Sequence, residues 1–106
     1  MANIRSFKLV SGEEVVANLV STEEQGDRVV AYLLESPHVM QFQHMQGGQL
    51  GLALVPWTLS NMELKSKVRL PAEFVIVTFE TADKVQGQFT QQTSSIALPT
   101  KTGLIK

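Results

Sequence analysis

Apolar and polar residues alternate along the first part of the chain, which is typical of strands with one buried face. The alternation runs from Ile4 to Val10 and resumes after Ser11-Gly12. Glycine adopts a positive φ without a Cβ clash, so this dipeptide is a turn signal. The pattern therefore predicts a hairpin that joins residues 4–10 to residues 13–22.

Two glutamates, Glu13 and Glu14, follow directly after the predicted turn. We expect them on the solvent side, where charge keeps a sheet edge soluble. Adjacent strand positions point to opposite faces, so this pair cannot form a two-carboxylate acid–base site. A polar segment at 22–27, with Gly26 as its breaker, predicts a loop after the second strand.

Two segments are apolar on both of their faces, RVVAYLL at 28–34 and FVIVTF at 74–79. A strand of this composition needs cover on both sides. We expect the first to be covered on both sides, and the second to be either a central strand or a strand buried by a partner. An oligomer with strands paired between subunits would supply such cover and remove open edges.

Two prolines, Pro37 and Pro56, lie at nearly equal distances on either side of the Gly47-Gly48 turn signal. Proline is not tolerated in the middle of a flat strand ladder. The spacing predicts that the strands at 38–43 and 50–59 belong to a long hairpin that bends sharply where the prolines meet. Bending of this kind curls a small sheet into a barrel.

The most regular alternation, at 61–70, places Lys65, Lys67 and Arg69 on one face of a strand. The spacing of about 6.7 Å between alternate residues is close to that of phosphates along a nucleic-acid strand. An ordinary solvated outer face is the commoner explanation of such a stripe. Trp57 and Tyr32 are able to stack on bases, although aromatic residues in apolar strands more often pack in a core or an interface.

The period changes after Glu80, where Thr81 is a candidate N-cap and 82–94 a candidate helix. Val85, Phe89 and Gln92 would share one side of this helix. The whole pattern predicts one domain over 1–106, with a β region at about 4–80, a helix at about 81–94 and a tail at 95–106. The fold class is mainly all-β, a small and strongly bent antiparallel barrel or sandwich followed by one short helix.

Composition narrows the possible functions. The formal net charge is −1, so no overall positive field attracts nucleic acid. The chain has no cysteine, which excludes disulfides and thiolate chemistry. The two histidines, His38 and His44, have no metal-site spacing and are expected at the surface or in turns. No hydrolase, phosphate-loop or zinc-protease motif is present, so we expect a protein that is not an enzyme and uses no cofactor or metal.

The start of the chain lacks the apolar stretch of a signal peptide. No apolar run approaches the roughly 20 residues of a membrane-spanning helix. We therefore expect a protein of the cytoplasm with no membrane partner.

The opening segment KLVSGEEVVANLVS (8–21), followed after a polar loop by VVAYLLE (29–35), resembles the first Sm motif of Sm-like (LSm) proteins. KVRLPAEFVIV (67–77) resembles the second motif, with Leu70 in place of its usual glycine. The chain as a whole, including GLALVPW (51–57), is most similar to small Sm-like proteins of bacteriophages that infect cyanobacteria. The similarity covers about residues 4–80.

This resemblance implies a bent Sm-like, SH3-like barrel of about five strands that joins edge to edge into a homo-oligomeric ring, from pentamer to heptamer. It also implies single-stranded RNA at two loops near the pore, in the cytoplasm of an infected bacterium. Carried onto this chain, the candidate RNA-binding residues, together with the basic stripe, are Glu24, Gln25, Asp27, Arg28, Lys65, Lys67 and Arg69.

Two hypotheses for the function follow. The first is a ring that binds single-stranded RNA weakly through its cations. The second is a ring that holds a phage or host protein and binds no RNA, which the acidic first loop and the net charge of −1 favour.

Overall fold

A computed structural model describes residues 3–44, 46–58, 60 and 67–97, with side chains described up to residue 93 of the last segment. Short 3-10 turns lie at Gln46–Gly48 and Ala72–Phe74. The described strands and helix are β1 (Ile4–Leu9), β2 (Glu14–Gln25), β3 (Arg28–His44), β4 (Leu50–Pro56), β5 (Lys67–Pro71), β6 (Val75–Glu80) and α1 (Asp83–Ala97). The predicted class, mainly β with one C-terminal helix, is confirmed.

The six strands form one antiparallel sheet in the order β4-β3-β2-β1-β6, and β5 pairs with β3. One edge of β3 pairs with β2, while its other edge pairs first with β5 and then with β4. Only the short 3-10 turn separates β5 from β6, which lies at the far end of the sheet on β1. The turn therefore brings β5, on one side of the sheet, close to β6 on the other, so the sheet curls in the manner of a barrel. A hydrogen bond of 2.9 Å from the Val10 amide, just after β1, to the Phe74 carbonyl ties this turn to the end of β1.

A bend in β3 brings the two prolines together, as the sequence predicts. His38 pairs with Pro56, and the Trp57 amide donates to the Pro37 carbonyl at 2.9 Å. Ser36 takes the left-handed φ of 55°, which is uncommon for a residue with a side chain. The strand continues through Pro37 rather than breaking there, so the two predicted segments at 28–34 and 38–43 are one strand of 17 residues.

The inner face of the curled sheet encloses the main core. Phe7 contacts Tyr32 edge-to-face, with ring centroids 5.1 Å apart. Apolar burial of this kind is the main stabilising contribution to a small domain. The buried members of this cluster are Phe7, Leu9, Val15, Ala17, Leu34 and Leu70, with Leu19, Tyr32, Trp57 and Val75 packed against it.

The outer face carries a second core under α1. Phe89 packs on Val16 and Leu54, and Val85 packs on the same cluster. The side-chain amide of Gln92 donates to the Leu54 carbonyl at 3.1 Å. The predicted helix face is thus correct, although α1 begins two residues after Thr81. Thr81 is not its N-cap, because the Thr81 hydroxyl is buried in a 2.7 Å hydrogen bond with the hydroxyl of Ser6.

The prediction of a central strand at 74–79 is wrong, because among the described strands β6 pairs with β1 alone and lies at an end of the sheet order. Ile76 is 63% exposed and Val77 is 49% exposed, although neighbouring strand residues point to opposite faces. Both faces of β6 therefore present apolar surface to solvent. The other alternative, a strand covered by a partner, stays a prediction.

Candidate nucleic-acid interface

The end of the β2–β3 hairpin carries four of the candidate residues. Gln25 pairs directly with Arg28, and Gly26 adopts a φ of 62° in the two-residue turn between them. Such a turn needs a positive φ, which glycine supplies without strain. The predicted loop at 22–27 is therefore wrong in length, since β2 continues to Gln25. Glu24, Gln25, Asp27 and Arg28 are all exposed at this tip.

Arg69 lies close to this hairpin, although it is far away in sequence. It pairs with Leu33 of β3, and its guanidinium Nε donates to Glu23 Oε2 at 2.9 Å. The hydrogen bond to Glu23, and then the negative charge of Glu23, raise the pKa of Arg69 above its ordinary value. The two side chains are 53% and 48% exposed. An ion pair across β3 thus ties Arg69 to Glu23, the residue directly before the expected RNA-binding segment at 24–28.

Lys67 begins β5 and is exposed, two positions before Arg69 on the same side of the strand. It pairs with Glu35, whose carboxylate accepts a 3.1 Å hydrogen bond from the Asn18 amide. Lys65, the third member of the predicted stripe, lies outside the described residues. The described part of the stripe is therefore Lys67 and Arg69.

Carboxylates outnumber cations around this site. Three cations, Arg28, Lys67 and Arg69, lie with four carboxylates, Glu23, Glu24, Asp27 and Glu35, the last of which pairs with Lys67. The sequence interpretation missed Glu23, because its contact with Arg69 depends on the pairing of β2 with β3 and of β3 with β5. A bound anion must compete with Glu23 for Arg69, so this geometry favours weak, salt-sensitive binding of phosphate over tight binding.

An apolar cavity of about 300 Å³ opens on the other side of Arg69. Its walls come from the turn after β1, from Trp57 and from the β5–β6 junction. Trp57 is half-buried and packs against the main core. The lining residues are Leu9, Val10, Ser11, Glu13, Trp57, Arg69, Leu70, Pro71 and Phe74.

The histidines differ from each other in their surroundings. His44 is exposed, whereas His38 is 5% exposed, so the prediction of a surface position is wrong for His38. The Nδ1–H of His38 donates to the Ser36 carbonyl at 2.8 Å, and its ring meets Phe89 edge-to-face at 5.4 Å. The bend in β3 turns this side chain under the helix, where it acts as a packing residue.

Within the described part of the chain, no group of three or more metal-ligating side chains comes together. None of the described helices is long and apolar enough to cross a membrane. In comparisons with known proteins, no family model matches the chain and no curated protein matches it.

Proposed function

We propose that the protein is a non-enzymatic, Sm-like, ring-forming protein that binds single-stranded RNA. The observation that carries this proposal is the ion pair between Glu23 and Arg69. It joins the tip of the β2–β3 hairpin to the basic face of β5, across 46 residues of sequence. The Sm-like resemblance assigns to RNA residues 24–28, which directly follow Glu23, and the corner around Arg69.

The cations of this surface suit a phosphate backbone. Lys67 and Arg69 are exposed and lie two positions apart on one strand, about 6.7 Å along it. Guanidinium groups form strong, charge-assisted hydrogen bonds with phosphate oxygens. Arg28 at the hairpin tip adds a third positive charge. Binding through these groups releases counterions, so its affinity falls as salt rises.

Ring formation would cover the surfaces that a single chain leaves open. In the sheet order β4 is at one end and β6 is at the other, so each has an edge without a partner strand within the described chain. Exposed apolar residues lie on both, including Leu52 on β4 and Ile76 on β6. A heterologous contact between two different edges closes into a ring when the rotation between subunits allows it.

A second candidate function is a ring that holds a phage or host protein without binding RNA. The acidic hairpin tip, where Glu24 and Asp27 outnumber Arg28, favours it, as does the apolar end of the β3–β4 hairpin. There Phe42 pairs with Leu52, and the two are 76% and 51% exposed. Exposed apolar patches of this kind often mark protein-binding surfaces.

The test is the affinity for a labelled oligouridine at low salt, measured by fluorescence anisotropy. We expect Arg69→Gln to weaken binding by about tenfold and to reduce the salt slope by about 1, because one phosphate contact is lost. Lys84→Gln removes the same charge from the exposed face of α1 and should leave both values unchanged. Equal losses in the two variants, or no binding at all by the wild type, would contradict an RNA site at Arg69.

A further inference from the structure

We propose that the cavity lined by Trp57 and Arg69 receives a guanine base of the bound RNA strand. This inference rests on the proposed function and names a base-binding subsite within it. Its volume of about 300 Å³ lies at the lower limit of ligand sites, which are commonly about 300–1,000 Å³. A space of this size suits a single base and is too small for an oligonucleotide.

The walls of the cavity have the chemistry that a base requires. Trp57 offers an aromatic surface, and Leu70 and Phe74 add apolar contacts around it. Stacking of bases on aromatic side chains is a main source of affinity for single-stranded nucleic acid. Because Trp57 packs on the main core with one part of its side chain, its ring is held in place before a base arrives.

Glu13, which also lines the cavity, provides the selectivity. The residue is exposed, and its carboxylate accepts a long hydrogen bond of 3.4 Å from the Ser11 hydroxyl. An ionised carboxylate only accepts hydrogen bonds, so it pairs best with two adjacent donors. Guanine presents two such donors on its Watson–Crick edge, N1–H and the N2 amino group. Adenine, cytosine and uracil each present a single donor group there.

Arg69 makes the cavity continuous with the proposed phosphate surface. It lines the cavity and also binds Glu23 beside the hairpin tip. A nucleotide phosphate at Arg69 would therefore place the attached base next to the cavity mouth. This shared residue, together with a carboxylate for the base edge, favours a nucleotide over an apolar peptide or a second copy of the chain.

The experiment uses Trp57 itself, since it is the only tryptophan of the protein. Its fluorescence is followed while the full chain is titrated with hexauridine, and with hexauridine that carries one central guanosine or one central adenosine. We expect quenching and about tenfold tighter binding for the guanosine oligomer relative to the adenosine oligomer, as for one bidentate base contact. Equal affinity for the two oligomers would overturn the inference.

Two matched glutamate variants separate the base site from the phosphate site. Glu13→Gln should abolish the preference for guanosine, while its effect on the affinity for hexauridine should be no larger than that of Glu14→Gln. Glu14→Gln, with the same charge change outside the cavity lining, should retain the preference. Binding by anisotropy without any change in Trp57 emission would overturn the base site and leave the proposed function standing. Absence of all binding of the oligomers by the wild-type protein would contradict both the base site and the proposed function. A Trp57 emission shift on dilution without RNA would instead assign the cavity to a second copy.

Discussion

At the scale of single residues, Arg69 belongs both to an ion pair and to the lining of the cavity. Its guanidinium holds Glu23 on one side, while the same residue lines the Trp57 cavity on the other. Half-exposed ion pairs of this kind contribute little to stability, because water and salt compete with them. Glu23 therefore competes with incoming phosphate without locking Arg69 in place.

A prediction for this competition concerns Glu23→Gln. The substitution removes the charge that holds Arg69 and lowers the negative charge of the site by one. We expect oligouridine affinity at low salt to rise by about threefold to tenfold, with a salt slope steeper by about 1, measured by anisotropy. Glu80→Gln, which makes the same charge change at the exposed end of β6, serves as the control. An affinity for Glu23→Gln at or below that of the control would show that Glu23 does not restrain Arg69.

The sequence predicts the cations of the site but not the carboxylate that contacts Arg69. The alternation of charges points directly to Lys67 and Arg69. The partner Glu23 could not be found in this way, because β2 and β3 shift register at three places along their pairing. Each shift changes which residues face each other, so a contact across β3 depends on bulges that leave no local signal.

At the scale of elements, period-2 alternation located the strands, and the change of period after Glu80 located the helix. The alternation is less informative about which faces of the strands are buried by other elements. Val16 shares a strand face with Glu14 and Asn18, which predicts a solvent-facing residue, yet it is fully buried under α1. Only the docking of a distant helix turns that outer face into a second core, and no pattern near Val16 records it.

The docking of α1 gives a prediction about stability. Phe89 is 3% exposed in the outer cluster, so Phe89→Ala leaves a cavity between the helix and the sheet. We expect the free energy of unfolding in urea to fall by about 3 kcal/mol. Thr90→Ala, on the exposed side of the same helix turn, should change it by less than about 0.5 kcal/mol. A loss below about 1 kcal/mol for Phe89→Ala would show that α1 contributes little to the stability of the sheet.

At the scale of the whole molecule, the curled sheet buries a core on its inner face but leaves apolar side chains exposed on the strands at its ends. The main core is enclosed by the inner face of the sheet, whereas β6 exposes apolar side chains on both faces. The sequence correctly marks residues 74–79 as a segment that needs cover. It cannot say whether the cover comes from this chain or from another, because both produce the same apolar run.

The whole-molecule prediction concerns assembly. Ile76→Lys places a charge on the open strand β6, and edge charges oppose pairing with another chain. We expect light scattering to give the mass of several protomers for the wild type and of one protomer for the variant. Val20→Lys introduces the same charge at an exposed apolar residue of β2. Because β2 already pairs with β1 on one side and β3 on the other, this control variant should keep the wild-type mass. An Ile76→Lys protein that keeps the wild-type mass would rule out assembly through β6.

The pairing of β1 with β6 also sets the order in which the strands of the sheet can pair during synthesis of the chain. β1 and β2 are neighbours in sequence, so they can pair as soon as both have left the ribosome. The second partner of β1 comes far later, since Ser6 and Thr81 are 75 residues apart. Contacts of such long range are slow to form. Until residues 75–80 emerge from the ribosome, the outer edge of β1 stays available to other nascent chains on the same mRNA. The last strand to be made, β6, is the one that covers this edge.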